Sequence, residues 1–207
     1  MTLKIWGRLS SVNVQKVMLC VEELGLPYER IDAGLAFGIV DTAAYRAKNP
    51  NGLVPLIEDD GFLLWESNAI VRYLAGKHAA GSMLPSDPQR RADADRWMDW
   101  QTTTLQPAMG AAFLHLVRLP PEKRESGAVE PSRSRTEDCV AIMDAVLAKR
   151  PFIAGDALTI GDIALGPAIH RWLNLPLDHL ARPNVERWYG EMMRRPSTRQ
   201  TLSLPIS

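Results

Sequence analysis

The chain has 207 residues, enough for one large domain or two small ones around a buried core. Its 24 basic and 24 acidic residues cancel, and 46% hydrophobic against 23% charged residues is the balance of a globular protein in water. That balance excludes the basic footprint of a nucleic-acid binder, so the short runs Arg90-Arg91 and Arg194-Arg195 read as solvated helix faces.

Residues 2–6 read as a buried strand, which Gly7 and the polar run 8–11 break. Val14, Val17, Met18, Val21 and Leu24 then recur at helical spacing, and Gly25 stands where a helix stops. A second strand is expected over 27–31, a loop over 33–41 and a short helix near 42–48. Asn49-Pro50-Asn51-Gly52 is a turn signal. Two apolar runs follow, 53–57 and 62–65, joined by Asp59-Asp60-Gly61 as a hairpin. Ser67 is suited to cap a helix with Ile70, Val71 and Leu74 on its apolar face. The order β-α-β-α-β-β-α implies a mixed sheet with helices on both faces.

Residues 76–88 are rich in Gly, Ser and Pro and mark a boundary, beyond which strand signals stop. Asp87-Pro88 opens a helix that should run to about Arg118, bent at Pro107 and ended by Leu119-Pro120-Pro121. Val140, Met143, Val146 and Leu147 mark another helix, stopped at Arg150-Pro151. Two more are expected over 162–175 and 183–195. Patterning thus divides the chain into an α/β domain, 1–80, and an all-α helical domain, 88–207.

No stretch reaches the ~18 apolar residues of a membrane span. Residues 1–6 enter a strand with no basic and apolar leader, so no signal peptide is expected. Two distant cysteines, Cys20 and Cys139, make no disulfide framework and fit a reducing, cytoplasmic setting. His78, His115, His170 and His179 lack ligand spacing, so no metal is expected.

Four motifs share one order along the chain. They are Ser10-Ser11-Val12-Asn13-Val14-Gln15-Lys16-Val17, Asn49-Pro50-Asn51-Gly52-Leu53-Val54-Pro55, Trp65-Glu66-Ser67-Asn68-Ala69-Ile70, and Thr159-Ile160-Gly161-Asp162 after Phe152-Ile153-Ala154-Gly155-Asp156. Together they resemble the soluble glutathione transferases of the bacterial serine/asparagine type, strongly in the first eighty residues and more loosely beyond. The resemblance implies a thioredoxin-like N-terminal domain (βαβαββα) that binds glutathione, and an all-helical C-terminal domain that lines the site of a hydrophobic electrophile. It also implies a homodimer, and no cofactor beyond glutathione as co-substrate.

By the same resemblance, Val54-Pro55 is a cis turn that offers the Val54 backbone to the cysteinyl part of glutathione. Glu66 meets the γ-glutamyl ammonium, and Ser67 with its N–H meets the carboxylate at a helix start, where free donors suit an anion. Ser11 is the expected thiolate donor, Asn13 its partner and Ser10 the adjacent alternative. Lowering a thiol pKa from about 8.5 by ~2 units takes about 2.7 kcal/mol. A helix end supplies up to ~2 kcal/mol and a hydrogen bond to a charged group ~1.5–3 kcal/mol, so the two together suffice.

Leu53 stands where many relatives hold the glycyl carboxylate of glutathione with Lys or Arg. A residue of the 33–41 loop must then serve, or binding is weaker. With no cysteine in the 10–13 turn, thiol-disulfide chemistry is disfavoured, and Asn13 breaks the Ser-Ser-Cys segment of the maleylacetoacetate isomerases. Trp97, Trp100, Phe113 and Trp172 are candidates for the electrophile side, or for core. The leading function is conjugation of glutathione to an electrophile. The alternatives are a glutathione-binding scaffold with little catalysis, or a glutathione-dependent peroxide or disulfide reductase. Thr159 and Asp162 are read as a structural cap.

Overall fold

Four short strands make one mixed sheet in the order β2-β1-β3-β4: β1 Leu3–Trp6, β2 Tyr28–Ile31, β3 Leu56–Asp59 and β4 Phe62–Trp65. The computed structural model describes residues 2–206; Met1 and Ser207, the outer ends of the two expected domains, lie outside the described residues. β1 runs parallel to β2 through helix α1, Val12–Glu23, while β3 is antiparallel to both β1 and β4. Side-chain alternation divides the sheet into two faces. The paired Ile5 and Ile57 join the core formed with Val17 of α1 and with Ile70 and Leu74 of α3, Ser67–His78. The next pair, Trp6 and Leu56, turns to the opposite face, where Ala33 and Tyr45 of the short helix α2, Ala43–Arg46, cover it.

The hairpin forms as its sequence predicts. Asp60 and Gly61 both take positive φ, 50° and 84°, the left-handed pair that a two-residue turn between twisted strands needs. Two expectations need correction. The strand expected over 53–57 begins only at Leu56, because Pro55 has no N–H to give a ladder. Ser67 is not the cap of α3 but its first residue; Glu66, the single residue between β4 and α3, occupies the cap position.

The expected rod to Arg118 is continuous. It runs as α4 Pro88–Trp100, a π-helical turn Gln101–Leu105, α5 Gln106–Phe113 and a second π-helical turn Leu114–Arg118. Asp87 caps its start, its carboxylate accepting from Arg90 N–H at 2.9 Å. The widened turn lies directly ahead of Pro107, where the ladder loses a donor and a bend is expected. Helix α6, Ser126–Leu147, starts well before the expected segment. Then come α7 Ile160–Leu173, α8 Pro183–Arg194 and an unanticipated α9, Pro196–Thr201.

Helix α7 is buried from Ile160 to Trp172 and packs on α1 and α4, which joins the sheet region to the helical region. Its first turn is fixed by Asp162, which is wholly buried. The carboxylate accepts from Ile153 N–H, Thr159 N–H and Trp188 Nε1–H, each at 2.9 Å, and from the Thr159 hydroxyl at 3.0 Å. The structural reading of Asp162 therefore holds. A second tie crosses the same boundary: the buried Lys16 of α1 donates to Asn68 of α3 at 3.3 Å, and Asn68 donates to the Met98 carbonyl of α4 at 2.8 Å.

Candidate functional site

Three cavities meet at the front of α1. The first, about 460 Å³, is lined by Arg8, Ser11 and Asn13 on one side, by Gly34, Leu35, Val40 and Asp41 of the 33–41 loop, and by Gly52, Leu53 and Val54. The second is a slot of about 50 Å³ among Asn13, Asn49, Asn51, Leu53, Val54, Pro55, Trp65, Glu66 and Ser67. The third, about 280 Å³, lies between that same front end, with Arg8, Ser11 and Asn13, and the long rod, with Gln106, Met109, Phe113 and Arg118. Asn13 borders all three, and Ser11 borders the two larger ones.

Local structure explains why these residues converge. Ser11 occupies the cap position of α1 with extended backbone, φ −87° and ψ 122°, and its hydroxyl makes no capping bond. The first N–H groups of any helix lack an internal partner, so the end of α1 presents donors and the positive end of its dipole to the cavities. The Leu53 carbonyl is clamped by the Tyr45 hydroxyl at 2.7 Å and Asn49 Nδ2 at 2.8 Å, which sets the chain entering the cis Val54-Pro55 bond. Beyond that clamp the Val54 backbone makes no hydrogen bond among the described residues. Glu66 holds φ 72° and ψ 110°, outside the regions that a side chain ordinarily allows, and stays exposed while Ser67 behind it is buried. The Ser67 hydroxyl points back to Asn13 Oδ1 at 3.5 Å, the outer limit of a hydrogen bond.

Of the residues expected at the site, Ser11, Asn13, Leu53, Val54, Pro55, Glu66 and Ser67 all line this cleft. Ser10 does not line any of the three cavities; its carbonyl accepts from Arg171 at 3.2 Å. The Leu53 side chain is largely exposed, and no cation of the 33–41 loop borders the first cavity. The cation that does border it is Arg8, which residue patterning treated only as a strand breaker. Gly34 makes room for it: a Cβ there would lie 2.9 Å from the Arg8 guanidinium, at a φ of 85°. Of the four aromatic candidates only Phe113 lines the third cavity, while Trp97 and Trp172 are core.

Burial also shapes the chemistry of α1. Loss of water brings the Lys16 ammonium down to about 7, against a smaller upward pull from Glu66. The Cys20 thiol, sealed in the core, is pushed up to about 12, mainly by burial and further by Glu23, which removes it as a nucleophile. Among the described residues no group of three or more His, Cys, Asp or Glu is placed to hold a metal, and no helix is long and apolar enough to cross a membrane.

Comparison with known proteins now bears on this cleft. Residues 1–76 match the family described as Glutathione S-transferase, N-terminal domain, and residues 126–191 match Glutathione S-transferase, C-terminal domain. The chain is 45% identical over 207 residues to glutathione S-transferase GstB of Escherichia coli, across 99% of this chain and 100% of that protein. It superposes with a TM-score of 0.96 and 39% identity on the theta class glutathione S-transferase of Xanthomonas axonopodis pv. citri solved with glutathione bound, covering 100% of this chain and 99% of that one. A glutathione S-transferase structure from Pseudomonas fluorescens aligns at a TM-score of 0.83 and 32% identity, over 95% and 97% of the two chains.

Proposed function

The chain belongs to the glutathione S-transferase family, and from that premise we propose how its own residues carry the transfer. The enzyme is a glutathione transferase with glutathione as co-substrate. The observation that carries the reading is the meeting of three cavities at Ser11 and Asn13, before the free end of α1. Residues 1–80 then form the glutathione-binding domain, and residues 88–207 close the electrophile side.

The tripeptide lies across the first two cavities. Its γ-glutamyl carboxylate meets Ser67 and the N–H groups that open α3, and its ammonium meets Glu66. Val54 pairs its free backbone with the cysteinyl unit in the manner of an added strand. Arg8, in place of the basic side chain absent at Leu53, faces the glycyl carboxylate. The sulfur then stands before α1, where the Ser11 hydroxyl donates to it, Asn13 supports it and the helix end favours the anion. The hydroxyl is a donor and not a base. The thiolate, its proton released to water, attacks an electrophilic carbon held in the third cavity and displaces that carbon's leaving group, which departs with the bonding pair; Phe113 forms an apolar wall. A homodimer in the cytoplasm completes the reading, in keeping with the free, buried Cys20 and Cys139.

Steady-state conjugation of glutathione to 1-chloro-2,4-dinitrobenzene tests this. The expected result is saturable turnover above the uncatalysed rate, with Ser67→Ala raising KM for glutathione by ~10-fold and changing kcat less. Tight glutathione binding with no turnover above background would favour the scaffold instead.

A further inference from the structure

Helix α7 is mostly apolar and buried along its length, yet Arg171 stands near its end, 9% exposed. A guanidinium taken out of water costs stability unless a carboxylate or several hydrogen bonds compensate. The groups that hold Arg171 are neutral. Its guanidinium carbon lies 3.9 Å from the centre of the Phe113 ring, and its Nη2 donates to the Ser10 carbonyl at 3.2 Å. Burial first, then the charges of Arg118 and Arg8, bring its pKa down to about 10, so the group is still cationic at neutral pH. An apolar side chain like those around it would fit α7 at lower cost. The arginine is therefore explained by what it touches and not by packing.

The atom it touches lies one residue ahead of the cap of α1. The ladder of α1 begins at the Ser11 carbonyl, which accepts from Gln15 N–H at 2.9 Å. The Ser10 carbonyl stands outside that ladder, and among the described residues no backbone N–H donates to it. On the other side of the same peptide bond, Ser11 N–H donates to the Arg8 carbonyl at 3.2 Å and closes the 8–11 turn. The planar Ser10–Ser11 peptide is thus held at both ends, by its own turn and by α7 of the helical region. That plane sets the direction of the bond from the Ser11 nitrogen to its Cα, and the Ser11 hydroxyl has no capping bond to fix it otherwise. Helix α7 is a rigid mount for this task, since Asp162 anchors its first turn and its flank packs on α1.

We propose that Arg171 is a positioning residue for the transfer: from α7 it holds the Ser10–Ser11 peptide so that the Ser11 hydroxyl is aimed at the glutathione sulfur. The inference rests on the reading of Ser11 given above and adds the group that acts through it. Arg171 forms and breaks no bond in the reaction. With the peptide held, the hydroxyl donates to the sulfur and favours the thiolate. With the peptide free to turn, the hydroxyl points elsewhere part of the time, and the sulfur keeps its proton to a higher pH.

A double-mutant cycle on the thiol pKa of bound glutathione, read from thiolate absorbance, tests the assignment. Arg171→Met removes the donor and keeps an unbranched side chain against Phe113. Arg171→Leu, equally without a donor, takes its place if that variant does not fold. Either should raise the bound thiol pKa by roughly 0.5–1 unit, no more than Ser11→Ala does, with the Kd for glutathione within about threefold. In the Ser11→Ala background the same substitution should add less than about 0.2 unit, because the group it positions is gone. The deficit in kcat/KM should be about three- to tenfold near pH 5.5 and should close above about pH 9, where the thiol is ionised in both proteins. An unchanged thiol pKa in the folded variant overturns the proposal, and so does a deficit equal at every pH. A full rise with Ser11 absent also overturns it, since Arg171 would then act on the sulfur by its charge alone. If Ser11→Ala by itself leaves the thiol pKa unmoved, it is the reading of Ser11 beneath the proposal that fails.

Discussion

Helices α1 and α7 start alike in sequence and differently in structure. Each has a hydroxyl residue at its cap, Ser11 or Thr159, and each begins in a region where both domains meet. At α7 the donors are consumed: Asp162 takes four hydrogen bonds, three from the chain around it and one from Trp188. At α1 the Ser11 hydroxyl caps nothing, and the helix end opens onto cavities. The difference separates structure from function more clearly than residue type does. A buried carboxylate whose bonds are complete holds a fold together, whereas a helix end left incomplete is ready for an outside anion.

Removing the closed network should have the largest effect. Asp162→Ala strands the N–H groups of Ile153, Thr159 and Trp188 in the core, and urea unfolding should show a loss of about 4 kcal/mol or no folded protein. A loss under about 1 kcal/mol would break the comparison.

Lys16 comes next, a charged residue of α1 inside the core. Its folded pKa lies below its unfolded value of about 10.4, so between about 7 and 10.4 the unfolded chain holds the extra proton. Stability should therefore rise with pH through that window, and the cost is full below it. Lys16→Met should remove that rise and stabilise the protein at pH 6 by something on the order of 3 kcal/mol. Denaturation curves at pH 6 and pH 9 check both.

The open end should respond in binding and not in folding. Glu66→Ala or Ser67→Ala should weaken glutathione by ~10-fold or more, as expected for loss of a charge-assisted bond, with little change in unfolding midpoint. Normal Kd values in both would remove the γ-glutamyl subsite. Ser11→Ala is the smallest change: stability should stay within about 0.5 kcal/mol, because no cap bond is lost. The thiol pKa of bound glutathione should rise by about one unit, read from thiolate absorbance.

The sequence was most legible where local rules dominate. The βαβαββα order followed from alternation, Asp60-Gly61 and Gly25, and the rod to Arg118 from Asp87-Pro88 and Leu119-Pro120. The first half of α6 was hidden because its buried face is polar: Ser132, Thr136 and Glu137 point inward, and the Ser132 hydroxyl is satisfied by Ala112 N–H and the Ala108 carbonyl. Helix α9 hid for the same reason, since it buries Ser197, Thr198 and Thr201. No hydrophobic period exists in either segment to be found.

The site divided in the same way. Ser11, Asn13, Val54, Glu66 and Ser67 belong to contiguous motifs and could be named from the resemblance those motifs carry. Arg8, Arg118 and Arg171 come from three elements scattered over more than 160 positions, and only folding brings them to one cavity. The one available signal was an arginine in the mostly apolar α7, and beside His170 such a residue looks like a solvated face until the helix is found to be buried.

Catalysis by this cleft requires the sulfur of glutathione to be held as an anion before α1. Titrating the thiolate absorbance of the wild-type complex from pH 5 to 10 measures this directly. A bound thiol ionising ~2 units below the free value of about 8.5 is the predicted result, and a bound thiol that titrates like free glutathione would contradict it.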